Sequence, residues 1–224
     1  MAAQAVSRQQ GGRAMSRVLA MLALLATLPA FAATDTHREW RFNVALDGRA
    51  VGTHVYEVDA GDGGRSVRST ARFDVKVLLF DAYTYAHEAR EQWQGDCLKS
   101  LSSRTDDNGK QLSVEATGSG NRMVVTSGAT HVEISGCVMS FAYWNPAILT
   151  QKKLLNAQTG EYDDVRIEPL GEETIAVRGV PVQARRYALH APEFRIDVWY
   201  AADGNWVQLE SLTKGGRMLH YSLQ

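Results

Sequence analysis

Two-residue turn signals recur at strand-length intervals along this chain, and they limit its fold more than any other feature. Asp47-Gly48, Asp62-Gly63, Asn108-Gly109 and Asp203-Gly204 are all dipeptides that suit tight hairpins. Apolar and polar residues alternate between them. "REWRFNVALDGRAVGTHVYEVDA" reads as strand, turn, strand, with Trp40, Phe42 and Val44 on one face. "RSVRSTARFDVKVLL" and "DAYTYAHEAREQW" read as two longer strands, and "CLKSLSSRTDDNGKQLSVEAT" and "NRMVVTSGATHVEIS" as hairpins, the second turning at Ser127-Gly128. "DDVRIEPLGEETIAVRGVPVQARRYAL" is again strand-like. "FRIDVWYAADGNWVQLESLTKGGRMLHYSL" is a three-strand meander whose last strand sets Leu219, Tyr221 and Leu223 opposite His220 and Ser222. A chain with so many antiparallel strands is mainly β. One apolar and one polar face would make the sheet curl, so the expected fold is a large curved antiparallel sheet, a half-open or closed barrel.

One stretch breaks the alternation. "SFAYWNPAILTQKKLLNAQTG", residues 140–160, runs an aromatic pair into Asn145-Pro146 and then into helical spacing. Asn145 suits an N-cap and Pro146 the first helical position. Ile148, Leu149, Leu154 and Leu155 supply an apolar side, Lys152 and Lys153 a solvated one. The expectation is one short amphipathic helix of about 12 residues, ending at Asn156 or Gly160. Alone it would be marginal in water, so it should pack on the concave face of the sheet. It then serves either as core filler or as the wall of a cavity.

The N-terminus reads as an export signal. Arg13 and Arg17 precede an apolar run from Val18 to Leu28, and Ala30-Phe31-Ala32 is a small-x-small site. Cleavage is expected after Ala32, Met15 is a possible true start, and residues 33–224 form a single β-rich domain. The run is shorter than the roughly 20 residues of a membrane span, so no transmembrane segment is expected in the mature chain. Localisation is then periplasmic or secreted. Loss of Arg8, Arg13 and Arg17 leaves 21 basic against 25 acidic residues, a net charge of −4 with no basic cluster, which argues against nucleic acid as a partner. The two cysteines, Cys97 and Cys137, fit one disulfide in an exported protein; two buried thiols are the alternative. A redox centre is disfavoured because there is no CxxC.

No GxSxG, HExxH, phosphate-loop or GxGxxG motif is present. His87 and Glu91 share a strand face, but four strand residues span about 13 Å, too far for one metal. No metal, cofactor or catalytic residue is assigned. Tyr83, Tyr85, His87, Glu91 and Trp93 fall on that one face, as a ladder of packing rings or as a ligand wall.

"EQWQGDCLKSLSSRTDDNGKQLSVEA", "FAYWNPAILTQKKLLNAQTGEYDDVRIEPLG" and "DVWYAADGNWVQLE" resemble the recurrent stretches of an uncharacterised family of exported bacterial domains. The resemblance runs from about Trp40 to Leu223. That family is in turn similar in pattern to the half-barrel of periplasmic lipoprotein carriers, which implies a curved sheet cupping a helix over an apolar cavity. No catalytic residue comes with it. The resulting reading is a periplasmic, non-enzymatic protein that binds an apolar or lipid-like ligand, lined by Tyr83, Tyr85, Trp93, Tyr143, Trp144, Ile148 and Leu155. The alternatives are an envelope module with a filled core that binds a protein partner and, more weakly, an enzyme with a dispersed site around His87 and Glu91.

Overall fold

The computed structural model describes residues 36–77, 80–213 and 215–224. The expected signal peptide, residues 1–32, lies outside the described residues. Fifteen strands follow one another: β1 (Thr36–Leu46), β2 (Arg49–Gly61), β3 (Gly64–Val77), β4 (Phe80–Gln94), β5 (Cys97–Asp107), β6 (Lys110–Ser119), β7 (Arg122–Ser127), β8 (Thr130–Ser135), β9 (Lys153–Leu155), β10 (Tyr162–Asp164), β11 (Arg166–Val177), β12 (Val180–His190), β13 (Arg195–Ala201), β14 (Trp206–Leu212) and β15 (Met218–Leu223).

Thirteen of them form one antiparallel sheet in the order β11-β12-β13-β14-β15-β1-β2-β3-β4-β5-β6-β7-β8. It does not close, so β11 and β8 are its two edges. Of the two expected forms, the open one is found. Nearly every neighbour is joined by a hairpin, as the turn dipeptides require. Asp47 and Gly48 have φ of 49° and 77°, and Asn108 and Gly109 have 52° and 91°, the paired positive angles whose twist matches antiparallel strands. Arg178 and Gly179 make the same turn between β11 and β12 without the Asn or Asp that would have announced it. The one long-range join is β1 with β15, where Phe42 lies opposite Leu223 and Val44 opposite Tyr221.

Alternation decides what faces inward. Trp40, Phe42 and Val44 of β1 are all buried, alternating with exposed Glu39, Arg41 and Asn43. The sheet is strongly curved, because residues of β4 and of β13 line one cavity although six strand spacings separate them. In a flat sheet they would stand roughly 29 Å apart. β13 is covered on both sides. Inward, Val198 and Tyr200 join the core; outward, Arg186 stacks 4.7 Å over Trp199, and the Asp197 carboxylate accepts hydrogen bonds from Arg186 and Arg195.

The hollow is filled by residues 138–165, and here the expected helix is corrected. Pro146–Thr150 makes only a short 3-10 turn. Asn145 caps it as anticipated, its Oδ1 accepting from the Ala147 N–H at 3.1 Å. At Gln151 the backbone turns extended, with φ −79° and ψ 151°, and β9 pairs with β10 as a small separate hairpin. The physical reason is the placement of the leucines. Leu154 and Leu155 are both fully buried, and adjacent residues of an extended strand point to opposite sides, so both flanks of the segment meet core. The Leu155 N–H and C=O bond to Met139 and Phe141, tying the segment's exit to its entry. Gly160 passes so close to β7 that an added Cβ would lie 2.8 Å from that of Ser127.

Candidate ligand-binding site

Cys97 and Cys137 are joined, with their Cα atoms 5.0 Å apart, which fixes the entry of the filling segment to the start of β5. A polar latch works beside the bond. Asp96 accepts from Arg65 at 3.0 Å and from Asn145 Nδ2 at 2.9 Å, while Arg65 stacks 4.8 Å over Trp144. Both hydrogen bonds hold the Asp96 carboxyl below its ordinary range.

The inward face of β2–β5 then shows something that a plain core would not. It carries buried His54, Ser69, His87, Glu91, Ser103 and Thr105. Some of these groups are consumed by the filling segment. Glu91 accepts from Ser140 Oγ and from Trp93 Nε1, both at 2.8 Å, and burial pushes its carboxyl pKa up. Ser103 donates to the Ala157 carbonyl, and Tyr85 donates to Gln158 Oε1 at 2.9 Å. From β13, Tyr200 donates to the Tyr143 carbonyl at 2.8 Å.

The remaining polar groups pair only within the sheet. His54 Nε2 meets Ser69 Oγ at 2.7 Å, and His87 Nδ1 meets Thr105 Oγ1 at 2.8 Å. Strand register sets His54 and His87 opposite the same small residue, Ala71 of β3, from its two sides. Burial holds His54 down to about 3, with His87 adding to the effect, and holds His87 down to about 4. Both rings are neutral near pH 7. His54 Nδ1 is buried without a partner, and His87 has Nε2 left over.

These histidines border a cavity of about 370 Å³ between sheet and filling segment. Its sheet side is His54, Tyr56, Val67, Ser69, Tyr85, His87, Ala89 and Glu91; the filling segment gives Ser140–Trp144 and Asn156–Gln158; Glu193, Phe194, Ile196, Ser211–Thr213 and Tyr221 form the far wall. The rings pack in stacked and tilted contacts, such as His54 stacked on Tyr56 at 4.4 Å and Phe141 tilted on Phe194 at 5.4 Å. Burial raises the hydroxyls of Tyr56, Tyr143 and Tyr221 well above the usual phenol range, so they stay protonated donors.

Of the seven residues that the sequence suggested as a lining, Tyr85, Tyr143 and Trp144 border this cavity. The other four lie elsewhere. Trp93 packs edge-on to Trp144 at 5.5 Å, Ile148 and Leu155 are fully buried core, and Tyr83 bonds Asp107 at 2.6 Å. His87 and Glu91, considered above for an enzyme, do reach the cavity. His54 was missed, although its strand carried the signal: it alternates with Tyr56 and Val58, which puts a titratable group on an apolar face. Among the described residues no group of three or more His, Cys, Asp and Glu is gathered for a metal, and no helix is long and apolar enough to cross a membrane.

A family model described as a domain of unknown function, DUF6134, matches residues 42–224, from the inward Phe42 of β1 through the end of β15. The chain belongs to this family. Curated proteins gave no match. Among solved structures, the DUF6134 domain is similar to the crystal structure of a beta-barrel-like protein of a domain of unknown function, DUF1849, from Brucella abortus, with a TM-score of 0.61 at 12% identity over 86% of this chain and 97% of that one. At that identity the likeness shows a shared beta-barrel-like fold.

Proposed function

We propose that this DUF6134 domain is an exported, non-enzymatic binding protein that holds an apolar or lipid-like small molecule in the cavity beneath its filling segment. The observation that carries the reading is a pocket of about 370 Å³ left open on the inward face of a sheet whose inward residues are mostly buried core. That volume falls within the roughly 300–1,000 Å³ of small-molecule sites, and its walls are rings with a few polar groups, the usual make-up of such sites. Export is supported by the signal-like N-terminus with its site after Ala32, and by the Cys97–Cys137 bond, which oxidising compartments favour.

Native mass spectrometry of gently purified protein, followed by solvent extraction, tests the reading. A stoichiometric apolar adduct is expected. A bare mass from every preparation, with no uptake of added apolar probes, would sink it and favour a filled-core module that acts through its surface.

A further inference from the structure

The polar groups on the cavity's sheet side fall into two sets. Glu91, Ser103 and Tyr85 are spent on holding the filling segment. His54 and His87 hold nothing outside their own sheet, since their partners are Ser69 and Thr105. Such pairs are an expensive way to build a core. A buried nitrogen without a partner forfeits its bond to water and gains nothing in return, and His54 Nδ1 is one. Ala89 adds to the oddity, because a small residue in the lining two positions from His87 leaves the space open, and Ala71, between the two histidines, is small as well.

Charge tells what the space can hold. No lysine or arginine lies among the residues that β2, β3 and β4 turn into the cavity. Arg68, Arg72 and Arg90 alternate outward, where Arg72 pairs with Glu88 and Arg68 with Glu57, and Arg65, on the inward register behind Trp144, is already held by Asp96 and the Gly95 carbonyl and is not part of the lining. The two histidines are neutral, and the lining's acids, Glu91 and Glu193, can only add negative charge. A carboxylate or phosphate taken from water to this wall would meet no compensating cation, a strongly unfavourable transfer. A hydroxyl or carbonyl would meet His87 Nε2 instead. Because Thr105 can donate to Nδ1 or accept from it, His87 can offer Nε2 as acceptor or as donor. The rings on the other walls, Phe141, Tyr143, Trp144, Phe194 and Tyr221, present aromatic faces among smaller aliphatic and polar side chains, and such faces favour flat molecules.

We infer that the cavity selects an uncharged, flat apolar molecule bearing a hydroxyl or carbonyl, which docks against His87 beside His54, and that it rejects carboxylates and phosphates of the same shape. This rests on the cavity being the binding site.

Calorimetric titration of the purified protein with a naphthol, and with the naphthoate of the same substitution, tests the inference. The neutral probe should bind at least about tenfold more tightly. Equal binding, or tighter binding of the naphthoate, overturns the selectivity while leaving the cavity reading intact. Failure of both probes also overturns it; an apolar adduct extracted from the same protein would then show that the cavity reading survives without it. The variant Gln158→Lys places an ammonium in the lining beside the Tyr85 hydroxyl, at a half-buried position, and should narrow the gap between the probes several-fold. A gap unchanged in a folded Gln158→Lys protein would show that charge is not what the cavity discriminates, and would equally overturn the inference.

Discussion

The two wings of the sheet obey one alternation and fill their inward faces differently. On the wing formed by β13, β14, β15 and β1, the inward residues are Val198, Tyr200, Trp206, Leu209, Tyr221, Phe42 and Val44, nearly all carbon, with the Tyr200 hydroxyl spent on a backbone carbonyl. On the wing formed by β2 to β5, the same alternation turns in His54, Ser69, His87, Glu91, Ser103 and Thr105. Pleating settles which residues face in, not what they must be. A core needs only the first kind of wing. The second kind keeps polar atoms where they cost free energy, and it does so beside the cavity. Stability should therefore concentrate on the aromatic wing, and selectivity on the polar one.

Removing a ring from the aromatic wing should have the largest effect. Trp206 is almost fully buried and packs 4.3 Å from Phe42, 5.3 Å from Tyr56 and 5.4 Å from Tyr143. Trp206→Ala should cost about 3–5 kcal/mol, read from the midpoint of urea unfolding. A loss under about 1 kcal/mol would break the contrast between the wings.

Acid probes the polar wing. Folding lowers the two histidines from 6.5 to about 3 and about 4, so between those values the unfolded chain binds more protons than the folded one. Their contribution is whole above pH 6.5 and is lost as pH falls from there towards 4, at about 1.4 kcal/mol per pH unit for each ring. Glu91 has the opposite sign: its raised pKa makes the folded state the better proton binder above 4.5, which offsets part of the loss. Unfolding midpoints at about pH 7 and about pH 5 should therefore differ in the wild type, and less so in His54→Leu. The same pH slope in both proteins would mean that His54 is not a buried neutral ring.

The smallest effect should come from swapping a whole polar pair for carbon. His87→Leu with Thr105→Val removes both partners of one hydrogen bond and leaves neither stranded, so stability should stay within about 1 kcal/mol. The same protein should lose its preference for a hydroxyl-bearing probe. A large loss of stability instead would assign the pair to the core, as on the other wing.

Most of the sheet was legible because hairpins announce themselves locally. Asp47-Gly48 and Asn108-Gly109 fixed two turns, and the alternation of Trp40, Phe42 and Val44 fixed a buried face. The filling role of residues 140–160 was legible too, since an aromatic pair and four apolar residues among strands must dock somewhere. Its conformation was not. Asn145-Pro146 starts a helix and a single 3-10 turn equally well, and only the two-sided burial of Leu154 and Leu155 decides between them. The cavity was half legible. Tyr85 and His87 declared themselves along one strand, but their meeting with His54 depends on the register across β3, which alternation alone does not reveal.

The join of β1 to β15 has a consequence in time. Gln224 bonds Asn43 across 181 residues, whereas almost every other strand pair is a neighbour along the chain. Strands β1 to β8 can zip one hairpin after another, and so can β11 to β15, but neither run can recruit the other until a long loop has closed. Pairings of such separation form slowly. The seam between these two runs of hairpins therefore sets the pace of folding, and the cavity, walled by residues from both sides of it, is assembled only when that seam is made.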